Sequence, residues 1–346
     1  MNNNKKTKTR TLRIGTDCSG IEAPIQALIS LGIPFVHVFC SDIDKYCIKS
    51  IKANYSPGII FGDDTSSNPS YANGDITKRK IEDVPDIDLY ICGFPCQPFS
   101  MAGERKGFDD RRGNVFFTCL EVIVVKQPTY FILENVKGIL GNDNGNTWNL
   151  ISGELKKLEI YGYRVDWKVL NTKDYGIPQN RERIYIVGIK EPAVFNNNTL
   201  SKNKTGERES WFEWPEKTEM NNLSHYIDET DETRNNCLTL YKYKTNFDNI
   251  PENSKFIMVS ILHRNKFMNS DKWSPCITSQ TGLWCVPKHR YANIKEYLML
   301  QGFPADFIQA VSDTRMKKQI GNSMSVNVLK VLLCTILNQP IPRQQR

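Results

Sequence analysis

The first half of the chain alternates short apolar segments with amphipathic ones, and this alternation limits the fold more than any other feature. Strand candidates lie at 12–15, 36–40, 89–92, 130–133, 164–170 and 183–189. Several are nearly continuous apolar runs, which is typical of strands in a parallel sheet covered by helices on both faces. Helix candidates lie at 24–31, 44–53 and 115–126. The pattern predicts a doubly wound α/β domain.

The character of the sequence changes after about residue 190. Residues 191–255 are rich in Asn, Glu, Lys, Thr and Ser, and hydrophobic periodicity fades there. Short aromatic-bearing runs at 238–243, 256–262, 273–278 and 283–286 then predict a small, partly β domain. Helical patterning returns at Ile294 and predicts a final helix over 325–337. We therefore predict one domain built from 1–190 and 291–346, interrupted by an insert at 191–290. The polar stretch 53–73 predicts a loose surface insertion.

The amino-acid composition limits the cellular compartment and the kinds of binding partner that we expect. The formal net charge of +7 suits a polyanionic partner without demanding one. Residues 1–10 lack the apolar core of a secretory signal, and no apolar run approaches the roughly 18 residues of a membrane span. Ten cysteines then indicate reduced thiols, while four histidines and the absence of a CxxC pair argue against a structural zinc site. We expect no metal, no membrane, and a cytoplasmic protein of a bacterium or virus, or a nuclear one in a eukaryote.

The segment 93–100, Gly-Phe-Pro-Cys-Gln-Pro-Phe-Ser, directly follows a predicted strand. The loop at the carboxyl end of a parallel strand is where α/β folds place reactive groups. Pro95 and Pro98 flank Cys96 and stiffen the loop, which preorganises the thiol. Taken alone, such a cysteine is more often buried and inert.

Two further motifs follow in the chain. Glu134-Asn135-Val136 comes directly after the predicted strand 130–133, so its carboxylate would lie near Cys96 if the two strands are close in the sheet. In an extended segment Gln179, Arg181 and Arg183 point to one face, and two arginines on one face suit a phosphorylated substrate. Each motif alone would more often be a solvated surface charge.

Together these motifs resemble the cytosine-C5 DNA methyltransferases, and the resemblance covers nearly the whole chain. The matching blocks, in order, are the Gly-Phe-Pro-Cys-Gln loop, Arg112-Gly113, Glu134-Asn135-Val136, Gln179-x-Arg181-x-Arg183, Arg290 with Glu296 and the segment 300–304, and the segment 319–323. The resemblance implies a Rossmann-like S-adenosylmethionine-dependent methyltransferase sheet. It also implies that residues 191–290 are a target-recognition domain and that 291–346 complete the catalytic domain.

The resemblance assigns the catalytic roles. The Cys96 thiolate would attack C6 of cytosine and thereby activate C5. Glu134 would donate a proton at N3, which requires a raised pKa in a closed pocket. Arg181 and Arg183 would hold the base carbonyl and adjacent phosphates, with Arg183 the better match for the base. The target base would have to flip out of the duplex. Further expected substrate contacts are Gln97, Ser100, Asn135, Gln179 and Arg290.

The cofactor turn implied by the resemblance departs from the family pattern Phe-x-Gly-x-Gly-Gly. Gly20 is kept, but Cys18 stands for Phe and Glu22 and Ala23 stand for the later glycines, so we expect Glu22 to point away from the cofactor. Asp42 would take the ribose hydroxyls and Asp75 the adenine amino group. The expected contacts with S-adenosylmethionine are Cys18, Ser19, Gly20, Asp42, Ile43, Asp75, Ile76, Gly93, Pro95, Val115, Asn322 and Ser323.

Two alternatives to the DNA enzyme stay open. A tRNA cytosine-C5 methyltransferase of the same fold typically has Pro-Pro-Cys-Gln and Cys-Phe-Thr, whereas this chain has Phe-Pro-Cys-Gln at 94–97 and Cys-Ile-Thr at 276–278. An inactive DNA-binding regulator would have no need of Cys96, Glu134 and Arg183 together. We expect a monomer that acts on double-stranded DNA. The sequence leaves open the recognised bases and whether a partner restriction endonuclease exists.

Overall fold

A seven-stranded sheet forms the centre of the fold in the computed structural model, which describes residues 11–95, 115–191, 210–233, 255–259, 269–270, 272–279 and 282–338. Its strands are β1 (Leu12–Asp17), β2 (Phe35–Ser41), β3 (Ile59–Phe61), β4 (Leu89–Gly93), β5 (Tyr130–Val136), β6 (Tyr163–Asn171) and β7 (Glu182–Lys190). The spatial order is β3-β2-β1-β4-β5-β7-β6. Strands β1 to β5 pair in parallel, and β7 runs antiparallel to both β5 and β6. The predicted doubly wound α/β architecture is confirmed.

Helices cover both faces of this sheet. They are α1 (Ala23–Leu31), α2 (Lys45–Asn54), α3 (Val115–Lys126), α4 (Asn146–Lys157), α5 (Ile294–Gln301), α6 (Asp313–Asn322) and α7 (Val326–Ile336). Consecutive strand residues alternate between two cores. Ile91 packs with α1 and α7 in one core, while Tyr90 and Cys92 pack with α3 in the other. All three are fully buried, which explains the uninterrupted apolar run of β4.

The chain reverses its direction across the sheet at β1. It proceeds outward through β2 to β3, then returns to β4 on the other side of β1. In open α/β sheets, ligands bind outside the carboxyl ends of the strands at such a switch point. The topology therefore places the candidate site at the ends of β1 and β4.

The prediction of a loose insertion at 53–73 is wrong. Strand β3 pairs in parallel with β2 at the edge of the sheet, and its Phe61 is fully buried. The Phe61 ring packs edge-on against Tyr71, with 5.3 Å between ring centroids. Three apolar residues suffice for this strand because β2 supplies the edge with which they pair. The polar residues on either side made this short apolar run hard to recognise as a strand.

A second, four-stranded antiparallel sheet lies in the region after residue 255. Its strands, in the order β11-β10-β8-β9, are β8 (Phe256–Val259), β9 (Asn269–Ser270), β10 (Gly282–Cys285) and β11 (Arg290–Tyr291). The runs at 256–262 and 283–286 contribute β8 and β10, in agreement with the predicted partly β character, whereas residues 260–262 and the run at 238–243 lie outside the described residues. The segment 273–278 forms no regular strand. It joins the catalytic region through a bridge between Ser274 and Gln179 and through a hydrogen bond from the Ile277 N–H to the Gln179 Oε1 at 3.1 Å.

The chain then returns to the large sheet. Helix α7 packs against α1 in the same core, and it fulfils the prediction of a final helix over 325–337. Among the described residues, no helix has both the length and the apolar character to cross a bilayer.

Candidate active site

A cavity of about 630 Å³ opens at the carboxyl ends of the parallel strands. It brings together residues from segments far apart in the chain. The predicted site residues that line it are Cys18, Gly20, Asp42, Ile43, Asp75, Ile76, Gly93, Pro95, Val115, Glu134, Asn135, Arg181, Arg183 and Asn322. Cys96, Gln97 and Ser100 lie outside the described residues, as do Arg112 and Gly113.

One end of the cavity is built around the turn that follows β1. Cys18, Gly20 and Glu22 all have left-handed backbone angles, with φ of 50°, 57° and 61°. The Asp42 carboxylate fixes this turn, because its Oδ2 accepts the Gly20 N–H at 2.8 Å while its Oδ1 accepts the Asp44 N–H at 2.8 Å. Burial raises the pKa of Asp42 to about 6. The carboxylate thus joins the turn to the start of α2.

Asp75 lies across the same end of the cavity. Its Oδ1 accepts the Thr77 N–H at 3.1 Å, and its Oδ2 pairs with Lys78 at 3.1 Å. The chain approaches Asp42 very closely at Gly74, where a Cβ atom would lie 2.0 Å from the Asp42 carbonyl oxygen. Glycine is therefore required there, and two carboxylates face one end of the cavity.

Glu134 lies at the opposite end of the cavity. It sits near the end of β5, directly opposite Gly93 of β4, and its side chain is largely buried. The Arg183 Nε lies 3.2 Å from the Glu134 Oε1. Burial raises the pKa of Glu134, and the positive charges of Arg183 and Arg181 offset this only in part. A carboxyl group that holds its proton is suited to donate it.

Asn135 holds the backbone that leads into the cysteine loop. Its Nδ2 donates to the Phe94 carbonyl oxygen at 2.8 Å, and the Phe94 ring packs against Phe116 with 5.3 Å between centroids. Pro95, the last described residue before Cys96, lines the cavity. The Asn135 amide therefore stabilises the backbone that leads to Cys96, and its side-chain N–H group donates to a protein carbonyl.

Gln179 and Arg181 depart from the expectation that they share one strand face with Arg183, because β7 begins only at Glu182. Gln179 is fully buried and donates to the Leu300 carbonyl oxygen at 2.7 Å. Arg181 donates to the carbonyl oxygens of Ile277 at 2.8 Å and Ser323 at 2.6 Å. The terminal groups of both side chains therefore bind protein carbonyls, and Arg183 is the arginine of the motif that faces Glu134.

Arg290 also departs from its expected substrate contact. It does not line the cavity, is 1% exposed, and pairs with Glu296 at 2.8 Å and with Asp231 at 3.3 Å. Two further predicted cofactor residues, Ser19 and Ser323, are also absent from the cavity wall. Ser19 Oγ accepts the Ser41 N–H at 3.0 Å, and the Ser323 carbonyl accepts from Arg181. Arg290, Ser19 and Ser323 therefore stabilise the protein structure around the cavity.

The buried pair of Arg290 and Glu296 gives a stability prediction. Arg290→Ala leaves the Glu296 carboxylate buried without its guanidinium, and we expect a loss of about 2–3 kcal/mol in the free energy of unfolding. Urea denaturation measures this. Lys137→Ala is the control, since Lys137 pairs with Glu182 at 3.0 Å on the exposed surface, where a pair contributes about 1 kcal/mol or less. Equal losses in the two variants would contradict the structural role of Arg290.

The sequence profile of the C-5 cytosine-specific DNA methylases matches residues 17–338. The chain belongs to this family. The methyltransferase is 34% identical over 302 residues to the type II methyltransferase M1.ScrFI of Lactococcus lactis subsp. cremoris, covering 85% of this chain and 70% of that protein. It is 34% identical over 318 residues to the type II methyltransferase M.Bsp6I of Bacillus sp. strain RFL6, covering 86% of this chain and 89% of that protein. The predicted class, a DNA cytosine-C5 methyltransferase, is thereby confirmed.

A solved structure supports the fold of this methyltransferase independently. The S. pombe Dnmt2 methyltransferase superposes with a TM-score of 0.63 at 19% identity, covering 95% of this chain and 99% of that one. At this identity the likeness concerns the fold alone. It agrees with the S-adenosylmethionine-dependent methyltransferase sheet predicted from the sequence.

Several cavity residues of the methyltransferase were not predicted. Gly74, Thr77 and Lys318 line the cavity beside the predicted positions. Gly74 adjoins Asp75, so its position next to a predicted contact was a usable signal. Lys318 lies on α6, one residue before the matched segment 319–323, and carries no signal of its own. Glu22 does not line the cavity, and its carboxylate accepts the Thr16 hydroxyl at 2.6 Å, which confirms that it points away.

Proposed function

We propose that this methyltransferase transfers a methyl group from S-adenosylmethionine to C5 of a cytosine flipped out of duplex DNA, through a covalent adduct with Cys96. The observation that carries the proposal is one continuous cavity. Its wall includes the Asp42 and Asp75 carboxylates at one end and Glu134 with Arg183 at the other. Pro95, next to Cys96 in the chain, belongs to the same wall.

The residues of the first end fit S-adenosylmethionine. A volume of about 630 Å³ lies within the range of small-molecule sites, even when it must also admit a base. The Asp42 and Asp75 carboxylates offer acceptors for ribose hydroxyls and for an adenine amino group. The turn at Cys18 and Gly20 leaves room beside them, where the methionine part would lie. S-adenosylmethionine supplies an electrophilic methyl group when it is bound.

The residues of the second end fit the activation of cytosine. The Cys96 thiolate forms a bond to C6, and the electron pair of the C5–C6 double bond moves through the ring toward N3. Glu134 delivers its proton to N3, and Arg183 keeps the carboxyl group oriented and contacts the base carbonyl. C5 then carries the nucleophilic electron density. After C5 is methylated, its proton leaves to water, and the electrons of that C–H bond reform the C5–C6 double bond and expel the Cys96 thiolate. The N3 proton returns to Glu134.

We assign the choice of DNA sequence to residues 191–290. The segment is polar in sequence, and its described parts consist largely of loops, which is the usual character of surfaces that carry recognition. Arg181 anchors part of it, because it donates to the Ile277 carbonyl oxygen beneath the cavity. Trp273 is partly exposed and lies under Lys173, with 4.0 Å from the Lys173 Nζ to the ring centroid. The type II names of the relatives favour a role in restriction and modification.

The cofactor end gives a prediction with a pH dependence. Asp42 with a pKa of about 6 is ionised above that pH and accepts hydroxyl hydrogens. Its protonation below that pH removes an acceptor, so the affinity for S-adenosylmethionine should fall as the pH drops through about 6. Asp42→Ala and Asp75→Ala should each weaken binding by roughly ten- to a hundredfold.

Isothermal titration calorimetry above and below that pH measures both effects. Asp63→Ala is the matched control, because Asp63 lies just beyond β3, pairs with Lys52 at 2.9 Å and does not line the cavity. Unchanged affinity in both the Asp42 and the Asp75 variants would overturn this cofactor assignment.

The substrate class is tested by offering both nucleic acids. The protein is incubated with plasmid DNA and with total tRNA in the presence of S-adenosylmethionine, and both are sequenced for 5-methylcytosine. We expect one short DNA motif to be methylated at high occupancy while tRNA stays unmodified. DNA binding should weaken with rising salt, because contacts to phosphates release counterions. Methylation confined to a tRNA position would overturn the DNA assignment and support the RNA enzyme.

A further inference from the structure

A second cluster of ligating side chains lies behind the cofactor turn, outside the cavity. Glu22, His37 and Cys40 bring a carboxylate oxygen, an imidazole nitrogen and a thiol sulfur to within 4.8 Å of one another. Glu22 and Cys40 are 0% exposed and His37 is 7% exposed. None of the three lines the cavity, and the proposed mechanism uses none of them.

The polar atoms of this cluster are poorly satisfied within the described part of the chain. Both ring nitrogens of His37 and the Oε2 of Glu22 are buried and have no hydrogen-bond partner there. The Glu22 Oε1 accepts the Thr16 hydroxyl, and the His37 Nε2 lies 3.3 Å from that same oxygen. A buried carboxylate without a cation is strongly disfavoured, since the lost hydration costs several kcal/mol. In the described part of the chain no lysine or arginine pairs with the Glu22 carboxylate, so a bound cation would stabilise it.

An irregularity in β2 creates the cluster. Along a regular strand His37 and Cys40 would point to opposite faces, because they are separated by an odd number of positions. The pairing of β1 with β2 shifts between Ile14 and Gly15, which face His37 and Phe39, so Val38 has no opposite residue in β1. Because of this bulge, the side chains of His37 and Cys40 lie on the same face of β2.

The turn supplies the third group in a conformation that an L residue rarely adopts. Glu22 has φ of 61° at the start of α1. Such backbone angles cost roughly 1–3 kcal/mol and persist where the surroundings hold them. The angle directs the Glu22 carboxylate inward beneath the turn, toward His37.

We propose that Glu22, His37 and Cys40 form a structural Zn²⁺ site. Zinc takes carboxylate, imidazole and thiolate ligands at about 2.0–2.3 Å in tetrahedral geometry. Two such nitrogen and oxygen ligands of one ion are about 3.3 Å apart, and the His37 Nε2 and Glu22 Oε1 are separated by 3.3 Å. The Glu22 Oε2, which has no hydrogen-bond partner in the described part of the chain, would bind the same ion as Oε1 and complete a distorted four-coordinate site. On binding, the Cys40 thiol loses its proton to solvent and a Zn–S bond forms.

The site ties β2 to the turn that carries the cofactor residues. The Thr16 hydroxyl orients the Glu22 carboxylate, as partners of metal ligands commonly do. The composition argued against zinc because these ligands belong to no CxxC pair and come from two elements. Since all three side chains are buried, the ion enters during folding, as in other structural zinc sites.

The full chain is therefore produced with zinc in the medium, and its metal content is measured by mass spectrometry after exhaustive dialysis. We expect about one zinc ion per wild-type chain. The zinc content of Cys40→Ser and of His37→Gln should be lower by roughly fivefold or more. Growth with cobalt in place of zinc should give a thiolate-to-cobalt charge-transfer band that Cys40→Ser lacks. Cys334→Ser is the control, because Cys334 is equally buried but lies on α7.

The outcomes separate a built site from incidental binding. Zinc retained to the same extent by the wild type and by both ligand variants would place the metal elsewhere and overturn the proposal. A folded wild-type chain without zinc and without the cobalt band would overturn it too. If Cys40→Ser fails to fold, His37→Gln and the wild-type cobalt spectrum still decide the question.

Discussion

Replacement of Cys96 with serine is expected to abolish both methylation and covalent trapping on DNA that carries 5-fluorocytosine at the target position. A serine hydroxyl is a far weaker nucleophile than a thiolate, so C6 is not attacked and C5 is not activated. With the native cysteine, fluorine at C5 cannot leave as a proton does, and the adduct accumulates. The loss in rate should be on the order of 10⁴-fold or more, as for other removed nucleophiles.

Denaturing electrophoresis of the enzyme with a fluorinated duplex detects the adduct, and methyl transfer from radiolabelled cofactor measures the rate. Cys285→Ser provides a control, since Cys285 is buried in β10 and lies outside the cavity. That variant should be trapped like the wild type. Normal methylation by Cys96→Ser would refute the covalent mechanism.

Glu134→Gln is expected to slow methylation by roughly 10³-fold, within the range of general acid catalysis. Glutamine keeps the size of the side chain and a polar contact with Arg183, but it has no carboxylic proton to give to N3. Glu182→Gln is the matched control. Glu182 starts the neighbouring strand β7 and pairs with Lys137 at 3.0 Å on the exposed surface. It should keep the wild-type rate, and similar losses in both variants would argue against a special role for Glu134.

The same residue sets a pH dependence. Burial raises the pKa of Glu134, and only the protonated form can donate. The single-turnover rate should therefore fall as the pH rises through that pKa, while the Glu134→Gln variant lacks this decline. Rates measured with saturating DNA and cofactor separate this effect from binding. A wild-type rate that keeps rising with pH would exclude Glu134 as the acid.

The sequence predicted the large sheet well because its strands are buried on both faces. The apolar run around Ile91 is unbroken, since Tyr90 and Cys92 enter a second core on the other side. Strand β3 escaped because it consists of three residues whose pairing edge is provided by β2. Helices α4 and α6 carry many polar residues and were not predicted. The local pattern indicated the long buried strands and the more apolar helices, but not the short edge strand or the most polar helices.

The site residues that could be predicted from the sequence are those whose role follows from their position at the end of a strand. Asp42 follows β2 and Glu134 lies near the end of β5, so the topology brings both to the cavity. The roles of Gln179 and Arg290 were not predictable in this way, because each depends on partners distant in the chain. Arg290 could be recognised as a framework residue only once Asp231 and Glu296 lay beside it. Resemblance to a family motif identifies a residue, but it does not show whether its side chain contacts a ligand or stabilises the surrounding protein.

The antiparallel entry of β7 into the sheet has a consequence for changes in chain length. Arg183 lies opposite Val136, and Tyr185 lies opposite Glu134. Side chains alternate between the two faces along a strand, so deletion of one residue inside β7 would turn every preceding side chain to the wrong face. The Glu134–Arg183 contact would be lost even though both residues remained in the sequence. Length variation is compatible with this site beyond Lys190, where β7 ends, but not between Arg183 and Ile189.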